Sequence, residues 1–180
     1  MKTYIAFLRG INVSGQKKIK MADLRASLQR QGLKNVHTYI QSGNVIFDVL
    51  STEVKELGTQ IEKTIEADFG FEVPVLLKAP KEIQGIVDNN PFKGEIDPKG
   101  LYFALLHKAP SNELISSFQE LKFDNEDFHY TDGCVYLNCK LGAGKAKLNN
   151  NLIENKLKVT ATTRNLNTMR KMIALTQNQG

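Results

Sequence analysis

The chain has 180 residues, 41% of them hydrophobic and 24% charged, with a net charge of +5; that is a globular composition and excludes a wholly disordered chain. No apolar run approaches the roughly 20 residues of a membrane-spanning helix, and the N-terminal apolar stretch stops at Arg9, too soon for a signal peptide. One large or two small domains are expected, in the cytoplasm and without a membrane partner.

Tyr4-Ile5-Ala6-Phe7-Leu8 is apolar and β-rich, so residues 2–9 read as a buried strand. A polar loop follows over 10–20, carrying Gly10, Asn12, Ser14, Gly15, Lys17 and Lys18. Met21, Leu24 and Leu28 share one helical face, and Gly32 stops that helix. Strands near 35–41 and 44–49 are joined through Ser42-Gly43 as a hairpin. Val54, Leu57, Ile61 and Ile65 mark a helix over roughly 52–69. A strand over 73–77 contains Pro74, which belongs at an edge or a strand start. The order is β-α-β-β-α-β.

A short helix near 80–88 leads into turn formers from Asp88 to Gly100, including Pro91, Gly94 and Pro98. The pattern then restarts. Tyr102-Phe103-Ala104-Leu105-Leu106-His107 echoes the first strand; Leu114, Phe118 and Leu121 form a helical face; Asp132-Gly133 is a hairpin turn. A helix over 146–157, a short strand over 159–162 and a last helix over 165–176 complete the chain. The expected fold is α+β: two tandem ferredoxin-like (βαββαβ, α/β plait) halves with an extra C-terminal helix. Residues 1–80 form one half, 81–100 connect, and 101–180 form the second half plus the helix. Each half is small for independent folding, so a polar pocket between them is a natural ligand site.

Cys134 and Cys139 are five apart on a probable strand, so they face opposite ways and read as reduced thiols rather than a disulfide or zinc pair. His37, His107 and His129 form no catalytic or metal-binding spacing. No cofactor is expected.

Three polar clusters remain. Arg9-Gly10-Ile11-Asn12-Val13-Ser14-Gly15-Gln16-Lys17-Lys18 follows a strand and precedes a helix. Gly10 and Gly15 have phosphate-loop spacing, but Lys17 is one place late, the metal-binding hydroxyl is missing, and a hairpin at 35–49 conflicts with the parallel sheet such a loop needs. An anion site of exposed backbone N–H groups beside lysines suits the composition better. Gln41, Ser42 and Asn44 interrupt two apolar strands, as a turn or as a hydrogen-bonding rim. Gly142-Ala143-Gly144-Lys145-Ala146-Lys147 puts two lysines at a helix start, against the helix dipole, where a bound anion would offset them. Thr163 and Asn165 are candidate caps of the last helix, with Arg164 between them.

Charge sharpens this reading. Residues 1–40 carry eight Lys/Arg against Asp23, and residues 140–180 eight against Glu154; each end is +7 and the centre −9. We therefore expect a non-catalytic binding protein for an anionic ligand, nucleic acid or a phosphorylated small molecule. The candidate ligand-binding residues are Arg9, Gly10, Asn12, Lys17, Gln41, Ser42, Asn44, Lys145, Lys147, Thr163, Arg164 and Asn165. Arg9, Lys17, Lys145, Lys147 and Arg164 are expected on one face. The alternative is a small cofactor-independent enzyme using a polar pocket. Stacking of bases as in RNA-recognition modules has no aromatic motif to support it.

The runs Leu8-Arg9-Gly10-Ile11-Asn12-Val13, Met21-Ala22-Asp23-Leu24-Arg25 and Thr38-Tyr39-Ile40-Gln41-Ser42-Gly43-Asn44-Val45 resemble the DUF1697 family of bacterial proteins. Thr162-Thr163-Arg164-Asn165, with Thr168 and Lys171, is similar to that family's second motif. The resemblance implies a tandem ferredoxin-like fold and implies no activity. Ala146 stands where a Ser is common in the family, and Leu166 where a Trp is common.

Overall fold

The computed structural model describes residues 1–50, 54–93 and 97–177. Positions 52 and 53 of the expected second helix, and Gly94 of the expected linker, lie outside the described residues. The chain divides into two units, Met1–Ile83 with Met172–Gly180, and Gln84–Lys171.

The first unit contains β1 (Lys2–Leu8), α1 (Met21–Arg30), β2 (Lys34–Tyr39), β3 (Asn44–Val49), α2 (Val54–Phe69) and β4 (Val75–Lys78). Its four strands form one sheet in the order β2-β3-β1-β4. β1 is central and runs antiparallel to both neighbours, with Ile5 opposite Ile46 and Lys78. Pro74 directly precedes the edge strand β4, where its missing N–H removes no ladder bond.

One sheet face sets Tyr4, Ala6, Leu8, Val45 and Phe47 against Leu24 and Leu28 of α1 and Leu57, Ile61 and Ile65 of α2. Each fully buried Leu or Ile here contributes about 1.5–3 kcal/mol relative to exposure. Ile5, Phe7 and Ile46 on the other face are also fully buried. Burial on both faces is why these strands read as continuous apolar runs rather than alternating ones.

α3 (Pro80–Asp88) straddles the division between the units. The second unit has β5 (Leu101–Leu106), α4 (Asn112–Gln119), β6 (Glu126–Thr131), β7 (Cys134–Cys139), α5 (Asn150–Leu157) and β8 (Ala161–Asn165). Its sheet runs β6-β7-β5-β8, antiparallel throughout, so β6 is an edge strand. Asp132-Gly133 makes the two-residue turn between Thr131 and Cys134, with Gly133 at φ 86°. Ala104, Leu106, Val135 and Leu137 pack with Phe118, Ile153 and Leu157. Both cysteines are free and buried. α6 (Leu166–Gln177) begins in this unit and ends in the first.

Several bounds differ from those expected: the strand expected over 73–77 is Val75–Lys78, and the one expected over 159–162 is Ala161–Asn165. The helix expected from residue 146 starts at Asn150, where Asn149 caps it by accepting from the Leu152 N–H at 3.0 Å. Ala143–Lys145 is instead a short 3-10 turn. Lys145 and Lys147 therefore stand before the helix rather than in its first turn, and the argument from an opposed dipole does not apply to them.

Candidate anion-binding cleft

The chain leaves β1 through a loop clasped from two sides. Leu8 N–H donates to the Gly43 carbonyl at 2.8 Å, and Arg9 N–H to the Pro74 carbonyl at 2.9 Å. Five of the eight residues 10–17 have positive φ: Gly10 at 71°, Asn12 at 55°, Ser14 at 49°, Gly15 at 75° and Lys17 at 45°. Ser14 and Gly15 form the tip of a miniature hairpin closed by Gln16 N–H on the Val13 carbonyl at 2.9 Å. Two successive left-handed residues are what a primed hairpin turn demands.

Asn12 holds this loop to its neighbour. Its Nδ2 donates to the Ile19 carbonyl at 3.0 Å and the Gln41 carbonyl at 2.8 Å, while its Oδ1 accepts from Ile19 N–H at 2.9 Å. Both amide N–H groups and the oxygen are thus engaged within the protein. Asn44 is fully buried and donates to the Tyr39 carbonyl and to Ser42 Oγ, at 3.0 and 2.9 Å. Gly43 has φ 76°, and a Cβ there would lie 2.6 Å from Leu8 Cβ. Only glycine permits that approach.

What the clasp leaves open is a cleft of about 570 Å³, bordered by Asn12, Gly15, Lys18, Ile19, Lys20, Met21, Asp23, Gln41 and Phe69. Lys18 and Lys20 are exposed and flank the buried Ile19. α1 opens at this cleft, and its N-cap, Lys20, supplies no side-chain hydrogen bond. The positive end of the helix and two ammonium groups converge here, opposed by the single carboxylate of Asp23 in the first turn. Met21 and Phe69, half-buried against the core, add an apolar wall. Lys17 is held elsewhere, its Nζ donating to the Glu72 carbonyl at 2.6 Å.

In the second unit the lysine-bearing loop is anchored rather than open. Lys147 N–H donates to Glu126 Oε1 at 3.2 Å, leaving the Lys145 and Lys147 side chains exposed. Thr163 Oγ1 donates to Asn150 Oδ1 at 2.8 Å, and Asn150 Nδ2 donates to the Ala161 carbonyl at 3.1 Å, which ties α5 to β8. Asn165 caps α6 by accepting from Thr168 N–H at 2.8 Å. Arg164 is 8% exposed. Its Nη1 donates to Thr162 Oγ1 and the Thr163 carbonyl, both at 2.9 Å, and burial pushes its pKa down to about 10.

With the geometry in view, the relationships to known proteins can be stated. The family described as protein of unknown function (DUF1697) matches residues 1–136. The chain belongs to the DUF1697 family. The match spans the clasp, the cleft and the start of the second unit, and ends before the Thr162-Thr163-Arg164-Asn165 motif. Conserved bacterial protein SP0830 from Streptococcus pneumoniae is similar in structure, with TM-score 0.74 and 22% identity over 97% of this chain and 98% of that one. None of the curated proteins compared matches the chain.

The polar clusters read from the sequence therefore divide by role. Asn12 bonds to the Gln41 carbonyl and Asn44 to Ser42 Oγ, and these hydrogen bonds of the Asn12 and Asn44 side chains build the loops. The Gln41 side chain is exposed at the cleft. Arg9 and Lys17 lie in the first unit, and Lys145, Lys147 and Arg164 in the second. Arg164 is not an exposed basic residue: its guanidinium is buried on Thr162 Oγ1 and the Thr163 carbonyl. Lys18, Lys20, Met21, Asp23 and Phe69 border the cleft and are not among the candidate residues read from the sequence. The signal was available: a helix start with Lys at the cap position and no Ser, Thr, Asp or Asn leaves N–H groups open. The antiparallel sheet also removes the phosphate-loop reading of Gly10 and Gly15. Among the described residues no cluster could hold a metal ion, and no helix is long and apolar enough to cross a membrane.

Proposed function

We propose that this DUF1697 protein binds an anionic ligand without transforming it, and that the phosphate sits in the cleft between Lys18, Lys20 and the start of α1. The observation that carries the reading is the convergence of two exposed lysines and an uncapped helix N-terminus on one cleft of about 570 Å³. That volume suits a phosphorylated small molecule; a nucleic-acid strand would present the same phosphate chemistry. Gln41 supplies a neutral hydrogen-bonding group at the rim, and Met21 and Phe69 supply an apolar surface for the rest of the ligand.

The test is calorimetric titration with inorganic pyrophosphate, adenosine monophosphate and a short single-stranded RNA, for the unaltered protein and a Lys18→Ala, Lys20→Ala double variant. At least one phosphate compound is expected to bind, and the variant to bind it about tenfold or more weakly, a loss of about 1.4 kcal/mol or more. Tighter binding of RNA than of the two small anions would move the assignment to nucleic acid. Equal affinity in variant and unaltered protein, or no binding at low salt, would remove the cleft as an anion site.

We also read the two units as tandem ferredoxin-like halves. The repeated strand orders β2-β3-β1-β4 and β6-β7-β5-β8, each with the chain order β-α-β-β-α-β, support that reading.

A further inference from the structure

The anion cleft contains one residue that an anion alone does not call for. Asp23 borders it together with Lys18 and Lys20. A carboxylate in that position repels a phosphate held by the two ammonium groups. Its side chain is exposed and makes no hydrogen bond or ion pair among the described residues. Asp23 stands in the first turn of α1, where an acid favours the helix. That role uses its charge and leaves both carboxylate oxygens open as acceptors.

The surroundings limit what Asp23 can accept from. A ligand ammonium would be drawn to the one carboxylate and repelled by both lysines. A neutral hydroxyl meets no such repulsion, and two oxygens have room for two hydroxyls. A further wall of the cleft is apolar, made by Met21 and Phe69, both half-buried against the core. Free phosphate or a sugar phosphate leaves that wall wet, whereas a planar ring covers it. Gln41, exposed on the rim, offers the edge of such a ring a donor and an acceptor.

We propose, resting on the phosphate site between Lys18 and Lys20 assigned above, that the ligand is a nucleoside monophosphate whose two ribose hydroxyls are held by Asp23. The phosphate lies between the lysines, both hydroxyls donate to the Asp23 carboxylate, and the base lies against Phe69 and Met21. Dinucleotide-binding folds use the same pairing of a carboxylate with ribose hydroxyls. Asp23 is then a specificity residue: it favours ribose over a sugar without the diol and disfavours bare phosphate. The interior of an RNA strand cannot meet Asp23 in this way, because its 3′ oxygens are esterified. The 3′ end of a strand has the diol but only a singly charged diester, whereas a terminal phosphate carries charge for both lysines.

The test is calorimetric titration of the unaltered protein and of Asp23→Asn with adenosine monophosphate, dideoxyadenosine monophosphate, adenylyl-adenosine and inorganic pyrophosphate. The Gln41 amide can turn either its donor or its acceptor to the ring, so adenine serves as the base. The unaltered protein is expected to bind adenosine monophosphate about tenfold or more tightly than the dideoxy compound. Asp23→Asn is expected to erase that preference and to bind pyrophosphate about two- to threefold more tightly, since a repelling charge is gone. A purely structural Asp23 would instead weaken all four compounds alike, which would overturn the proposal. Equal affinity for the ribose and dideoxyribose compounds, both still dependent on Lys18 and Lys20, would also overturn it and leave the anion site standing. Tighter binding of adenylyl-adenosine would move the assignment to the end of an RNA strand. No binding of any of the four would remove the anion site as well. The comparison on the unaltered protein decides the matter even where the variant does not fold.

Discussion

Gly43 is where one atom decides most. The β1–β3 clasp requires positive φ and an approach that a Cβ would bring to 2.6 Å from Leu8 Cβ. Gly43→Ala therefore adds backbone strain and a clash with buried Leu8, and is expected to cost about 2–4 kcal/mol. A shifted urea midpoint measures it; an unchanged midpoint would mean the clasp relaxes freely. Cys139 makes a different residue-scale point. Burial, and then the negative charge of Glu126, push its thiol up to about 11 from the usual 9. The folded state thus favours the neutral thiol. The resulting stabilisation is complete below about pH 9 and is lost as pH rises towards 11. Alkylation of Cys139 in the folded protein should stay slow at pH 8 and accelerate only towards pH 11; rapid labelling at pH 8 would show an accessible thiolate.

The starts of α5 and α1 differ in a way that separates stability from binding. α5 is capped by Asn149, whereas α1 begins at Lys20 with no side-chain cap. Lys20→Ser is expected to stabilise the protein by about 0.5–1 kcal/mol through the new cap. The same change should weaken phosphate binding, since it removes an ammonium and occupies first-turn N–H groups. Opposite signs in thermal melts and in titrations are the signature of a helix start held open for a ligand. Two losses, or two gains, would mean that Lys20 has a different task.

Across the whole molecule the charge that matters is local. The chain carries +5, yet the proposed cleft presents two lysines and one aspartate. Single-stranded RNA held there alone should give a logarithmic salt slope of about 0.7 per lysine, so about 1.4 in total. A much steeper slope would bring the other basic residues of the chain into the contact. Each unit also has a sheet with buried apolar residues on both faces, as Ile5 and Tyr4 show in β1.

The amino-acid sequence by itself determined the element order, because apolar periodicity and turn residues act locally. Pro74 fell at the start of an edge strand and Asp132-Gly133 in a two-residue turn, as their backbone preferences require. It failed at the start of α5, where Asn149 is the cap and the glycine-lysine run ahead of it forms a separate 3-10 turn. Only the tertiary structure decided which polar residues are available. Asn12 and Arg164 look alike in sequence as polar motif residues, but the first is consumed by three hydrogen bonds across 7 and 29 positions, and the second is buried. Donor and acceptor satisfaction is a property of three-dimensional neighbours, and residue type alone does not encode it.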